Sequence, residues 1–138
     1  MKNIFTYGSL MFPQVWESVT SKNYQSSKAC LAGFIRRLVI NAEYPGIIKG
    51  NSDDIVNGVV YFDVYDDDIM RLDHFEGEIY FRESVSIKLD SNDKISAYAY
   101  TIKPEYSHVL SDKDWDVNEF SQNGIKRFIS KYSGFKEI

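Results

Sequence analysis

The chain has 138 residues, of which 43% are hydrophobic and 26% charged. That is the composition of a folded globular protein, and the length suits one domain over residues 1–138 with a single core. The formal charge is −4 with no cluster of Lys or Arg, which argues against a nucleic-acid partner, and no apolar run approaches the roughly 20 residues that span a bilayer.

Taken in chain order, Ile4 to Tyr7 reads as a short strand that Gly8-Ser9 ends. Pro13 suits the first turn of a helix, where its missing N–H costs nothing. Phe12, Val15, Trp16 and Val19 then recur at helical spacing on one face. Ala29 to Phe34 and Arg36 to Ala42 read as two strands with Gly33 near the bend. Tyr44-Pro45-Gly46 reads as a turn, with Pro presetting φ and Gly accepting a positive one. Val56 to Val64 is a strand with Val60, Phe62 and Val64 on one face.

Asp66 to Glu76 is expected as a helix. Asp66, Asp67 and Asp68 match its positive end and offer a cap, and Gly77 suits the left-handed residue that closes it. Tyr80 to Leu89 alternates cleanly, with Val85, Ile87 and Leu89 on one face. Asn92-Asp93 reads as a hairpin turn into Ile95 to Ile102, which is apolar on both faces and therefore central. Val117 to Tyr132 reads as a C-terminal helix carrying Phe120, Ile125, Phe128 and Ile129, with Gly124 a weak point in it. Runs of strands with interspersed helices define an α+β fold, here a curled, mainly antiparallel sheet flanked by helices.

Two places can carry chemistry. Glu76 lies seven residues after Ile69, so it returns to the apolar stripe of its helix. A carboxylate there points inward, at a helix end whose dipole disfavours negative charge, and both effects raise its pKa toward neutrality. The competing reading is a frayed terminal residue turned to solvent. The second place is Tyr7-Gly8-Ser9-Leu10, where a strand stopping before a helix can aim several backbone N–H groups at one anion. The competing reading is an ordinary strand-to-helix turn. Ser9 with His74 or His108 as base would make a hydrolase, but the surroundings of Ser9 are not the nucleophile-elbow pattern. Tyr80 and Arg82 share a strand face and could line a pocket. Neither histidine sits in a metal-ligand cluster, the aspartates match no calcium loop, and no phosphate or dinucleotide loop appears, so no metal or other cofactor is expected. One cysteine, Cys30, and an N-terminus with no long apolar stretch fit a reducing, cytoplasmic setting.

Together these segments resemble the γ-glutamyl cyclotransferase-like family, which includes γ-glutamylamine cyclotransferases and the plant avirulence-induced group. Phe5 to Leu10 is similar to its Y-G-[ST]-L loop, Leu72 to Gly77 to its L-D-x-F-E-G segment, and Tyr80-Phe81-Arg82 to the Y-x-R that follows. The resemblance spans roughly Ile4 to Ile102. It implies a small mixed β-barrel with flanking helices and a metal-independent enzyme that acts on a small γ-glutamyl substrate. It also implies Glu76 as catalytic carboxylate and Tyr7, Gly8, Ser9 and Leu10 as the substrate loop. Tyr106 is a loose counterpart of a substrate-contacting tyrosine in some relatives. A non-catalytic small-metabolite binding module on the same fold is the alternative. Neither the leaving amine nor the oligomeric state is implied.

Overall fold

The structure, a computed structural model, describes residues 1–132. Seven strands and several helices follow one another: β1 (Lys2–Thr6), α1 (Pro13–Val19), β2 (Ser26–Ala32), β3 (Phe34–Leu38), β4 (Pro45–Lys49), β5 (Ile55–Val64), α2 (Asp66–Glu76), β6 (Tyr80–Leu89), β7 (Lys94–Ile102), α3 (Val117–Glu119) and α4 (Ile125–Tyr132). A short 3-10 turn, Ser9–Met11, links β1 to α1. Five strands close a barrel in the order β1-β5-β2-β6-β7, and β3 and β4 form a separate two-stranded sheet. All neighbours in the barrel are antiparallel except β1 and β7, which meet in parallel at Ile4 and Tyr98. This is the mixed, mainly antiparallel barrel with flanking helices that the resemblance implies.

Alternating strand residues feed two apolar clusters. Phe5, Leu31, Val60, Ile87 and Ala99 belong to one, together with Phe34 and Ile47 of the small sheet. Ile4, Tyr61, Tyr100 and Ile102 face the other way and pack with Val15, Trp16 and Val19 of α1, Ile69 and Leu72 of α2, and Phe120 and Phe128. The alternation breaks at Asp63, whose φ is +54°. A register shift between β1 and β5 at this point adds one residue to β5. Val64 therefore packs in the helix-side cluster beside Tyr61 rather than with Val60, unlike the common face expected from spacing.

Two further expectations need correction. Pro45 and Gly46 open strand β4 instead of forming a turn. Proline is tolerated as the first residue of a strand, and Gly46 sits so close to Ile102 that an added Cβ would lie 2.5 Å from its Cγ1. The chain reverses earlier, where Ala42 N–H donates to the Val39 carbonyl at 3.1 Å and Asn41 takes φ +61°. Strand β2 ends at Ala32 and β3 starts at Phe34 and stops at Leu38. The C-terminal helix runs from Val117 to Tyr132 as expected, with a wider π turn, Phe120–Gly124, inside it between α3 and α4.

Helix α2 matches its expected bounds, but none of its three aspartates caps it, since Tyr65 occupies the cap position. Asp68 turns inward instead. Its carboxylate accepts hydrogen bonds from the Ser21 backbone N–H (2.9 Å), Tyr24 hydroxyl (2.6 Å) and Arg71 guanidinium (2.8 Å). Burial pushes its pKa up, but these hydrogen bonds outweigh burial and leave it below the usual carboxylate value. Those contacts pin the start of α2 to the segment after α1.

Candidate active site

The far end of α2 delivers Glu76. Ile69 and Leu72 are buried against the barrel, and Glu76 continues their stripe down the helix. Gly77, at φ +83°, ends the helix at once, and its N–H closes onto the Asp73 carbonyl at 3.2 Å. A side chain at that φ would be strained, so the glycine fixes where the helix stops and leaves Glu76 in the last turn.

The strand β1 delivers the other half. Tyr7, Gly8, Ser9 and Leu10 are all buried. The Gly8 carbonyl accepts from Met11 N–H at 3.0 Å, the Ser9 carbonyl from Phe12 N–H at 3.1 Å, and the Leu10 carbonyl from the Tyr61 hydroxyl at 3.1 Å. The N–H groups that open a helical turn have no partner within it, which leaves those of Ser9 and Leu10 for other acceptors.

Both halves line one pocket with an empty volume of about 520 Å³, its open mouth included. Glu76 and Phe75 form one wall and Tyr7 to Leu10 another, with Tyr80 and Tyr100 from the barrel and Tyr44 and Phe128 beside them. Glu76 as a residue is half-buried. Desolvation in this mainly aromatic pocket, aided by the negative charge of Asp73, pushes its carboxyl pKa up to about 8. Among the described residues, no hydrogen bond to the Glu76 carboxylate is found.

Tyrosine hydroxyls brace the walls. Tyr7 donates to the Tyr100 carbonyl at 2.6 Å, Tyr80 to the Pro45 carbonyl at 2.7 Å, and Tyr100 to the Asp73 carboxylate at 2.6 Å. Burial first, and then the charge of Glu76, raises the Tyr7 pKa well above its ordinary value. Burial and the bond to Asp73 do the same for Tyr100. Both phenols therefore stay protonated and act as donors.

The structure thus brings Glu76 and Tyr7 to Leu10 together around one space. Tyr80 joins them. Arg82 does not line the pocket; it lies 3.8 Å from Asp73 and over the ring of Tyr98. His74 and His108 are exposed and do not line the pocket either, which leaves Ser9 without a histidine at hand. Tyr106 lies outside it in a short 3-10 segment. Cys30 is half-buried on β2. Sequence reasoning missed Asp73 and Tyr100. Asp73 carried a signal, standing one turn before Glu76 on the same helix, whereas Tyr100 was masked by a strand that is apolar on both faces. Among the described residues, no three His, Cys, Asp or Glu side chains gather to hold a metal ion. No helix among them is long and apolar enough to cross a membrane.

The structure is a small α+β protein with a closed five-stranded barrel and a pocket that the Glu76 carboxylate and the Tyr7–Leu10 loop both line. The sequence matches the family described as gamma-glutamyl cyclotransferase, AIG2-like, over residues 4–117, and the chain belongs to that family. AIG2-like protein D of Arabidopsis thaliana is 32% identical over 139 residues, covering 99% of this chain and 90% of that protein. A solution structure from the same plant superposes with a TM-score of 0.72 at 26% identity, covering 95% of this chain and 79% of the other. A structure named gamma-glutamyl cyclotransferase shares the fold, with a TM-score of 0.66 at 18% identity over 94% of this chain and 85% of its own.

Proposed function

We propose that the protein is a γ-glutamyl cyclotransferase-type enzyme that releases 5-oxoproline and a free amine from a γ-glutamyl amide, with Glu76 as general acid and base. The observation that carries this reading is the Glu76 carboxyl, with its pKa near 8, enclosed in the same pocket as the Tyr7–Leu10 backbone. Family membership and the fold shared with a structure named gamma-glutamyl cyclotransferase support it.

The substrate carries its own nucleophile. Its α-amine attacks the γ-carbonyl carbon, a five-membered ring closes as the new C–N bond forms, and the original amide C–N bond breaks. Because both reacting groups belong to one molecule, holding the folded-back conformer supplies much of the rate. The α-amine must lose a proton to react, and the departing nitrogen must gain one. A carboxylate with a pKa near that of an α-amine, roughly 8, accepts and returns that proton with little energetic mismatch, whereas an ordinary glutamate is too weak a base. In this reading the loop N–H groups hold the glutamyl α-carboxylate or the developing oxyanion. The pocket tyrosines shape the wall and keep water from the reacting atoms.

A screen of γ-glutamyl compounds for 5-oxoproline release, wild type beside Glu76→Gln, tests the reading. Release by the wild type alone supports it. Saturable binding of γ-glutamyl compounds without release favours the binding-module alternative.

A further inference from the structure

Each carbonyl of the Tyr7–Leu10 loop has a donor of its own. Those of Gly8, Ser9 and Leu10 are held by Met11, Phe12 and Tyr61. The Tyr7 carbonyl is held differently, by a charged side chain from another sheet: Arg36 Nη1 of β3 donates to it at 3.1 Å. A trans peptide is planar, so the N–H of each following residue points opposite to the carbonyl. Fixing the Tyr7 carbonyl toward Arg36 therefore fixes the direction of the Gly8 N–H, and a guanidinium on the oxygen makes that N–H a stronger donor.

Arg36 is itself clamped. Its Nε donates to Asp114 Oδ1 at 3.0 Å, and its guanidinium lies 5.5 Å from the Trp115 ring. Asp114 Oδ1 also accepts from Trp115 N–H at 2.7 Å, and the Trp115 indole N–H reaches the Glu43 carbonyl at 2.8 Å. The arginine side chain is only 16% exposed. Such an arrangement spends rotamer entropy to hold one guanidinium in one place, and that place is behind the loop rather than in the pocket.

We propose that Arg36, locked by Asp114 and Trp115, is the positioning residue that aims the Gly8 N–H at the carboxylate of a bound γ-glutamyl group. The proposal rests on the γ-glutamyl reading of the site for its ligand and on the cyclisation step for its kinetic readout. It assigns a task to the segment after β7, which supplies Asp114 and Trp115.

The test uses the full chain as wild type, Arg36→Gln, Arg36→Lys and Asp114→Asn, with kinetics and an NMR titration of the Gly8, Ser9 and Leu10 amides by 5-oxoproline. Arg36→Gln is expected to raise KM, and to weaken 5-oxoproline binding, by about tenfold with kcat nearly unchanged, the size of a lost hydrogen bond to a charged group. Arg36→Lys should recover part of the loss, and Asp114→Asn should show a smaller loss of the same kind. An Arg36→Gln variant that folds, binds 5-oxoproline and keeps KM as the wild type does overturns the proposal. So does a loss confined to kcat. If Arg36→Gln does not fold, Asp114→Asn decides by the same split. If the wild type turns over no γ-glutamyl compound, the cyclisation reading falls while the titration still judges Arg36. Failure of 5-oxoproline to move the loop amides of the wild type overturns the role of Arg36.

Discussion

Helix α2 carries an inward carboxylate at each end, and the two have opposite surroundings. Asp68, in the first turn, is fully buried and meets Ser21, Tyr24 and Arg71, so it stays ionised. Glu76, in the last turn, is lined mainly by aromatic rings, and desolvation there, aided by the negative charge of Asp73, penalises its charged form. One carboxylate fastens the helix and the other is left with unmet demand for a proton. Unsatisfied groups of this kind gather at functional sites because they cost stability wherever they are not used.

Replacing each carboxylate should separate the two roles. The largest effect belongs to Glu76→Gln, which should lower turnover by about 10²–10⁴-fold, the usual worth of a general acid/base, while circular dichroism shows the fold retained. Asp68→Ala should instead cost about 2 kcal/mol of stability in denaturant melts, because it removes the buried carboxylate shared by Ser21, Tyr24 and Arg71 while water can still reach those partly exposed donors, and leave kcat unchanged in the folded enzyme.

The pH dependence of stability sharpens the contrast. Glu76 has a folded pKa near 8, above the usual 4.5, so the folded state binds the extra proton between these values and stability falls as pH rises through that window. Glu76→Gln carries no such loss. Near pH 9 it should be more stable than the wild type by about 2–4 kcal/mol, with the difference shrinking toward pH 4, as thermal melts across pH would show. Asp68 has the opposite sign: its contribution is full above the ordinary carboxylate pKa and is lost as pH falls through its lowered one. The smallest effect is expected from Asp73→Asn. Removing that charge should shift the acidic limb of the kcat/KM profile to lower pH by a fraction of a unit, since nearby Arg82 already offsets part of the Asp73 charge.

What could be read from sequence followed the range of the forces involved. The bounds of α2 depend on its acidic first turn, the Ile69 and Leu72 stripe and Gly77, all local, and they emerged intact. So did the hairpin of β6 and β7, where strict alternation meets a turn at Asn92, φ +72°. Glu76 was nominated by spacing and the Tyr7–Leu10 loop by its Gly-Ser break. Strand β4 was hidden because Pro45-Gly46 has the composition of a turn, while Asn41, which takes the positive φ where the chain bends, stands without a Gly or Pro beside it and was read as strand. The π turn at Phe120–Gly124 left only Gly124 as a warning. Arg36, 29 residues from Tyr7, and Tyr100, 27 from Asp73, act through contacts that exist only once the barrel closes, and no local pattern announces them.

The account turns on Glu76, and its most direct test is 5-oxoproline release from γ-glutamyl compounds near pH 8 by the wild type and by Glu76→Gln. The account predicts release by the wild type and its near-complete loss in a variant that still folds. Turnover by Glu76→Gln at the wild-type rate would contradict it.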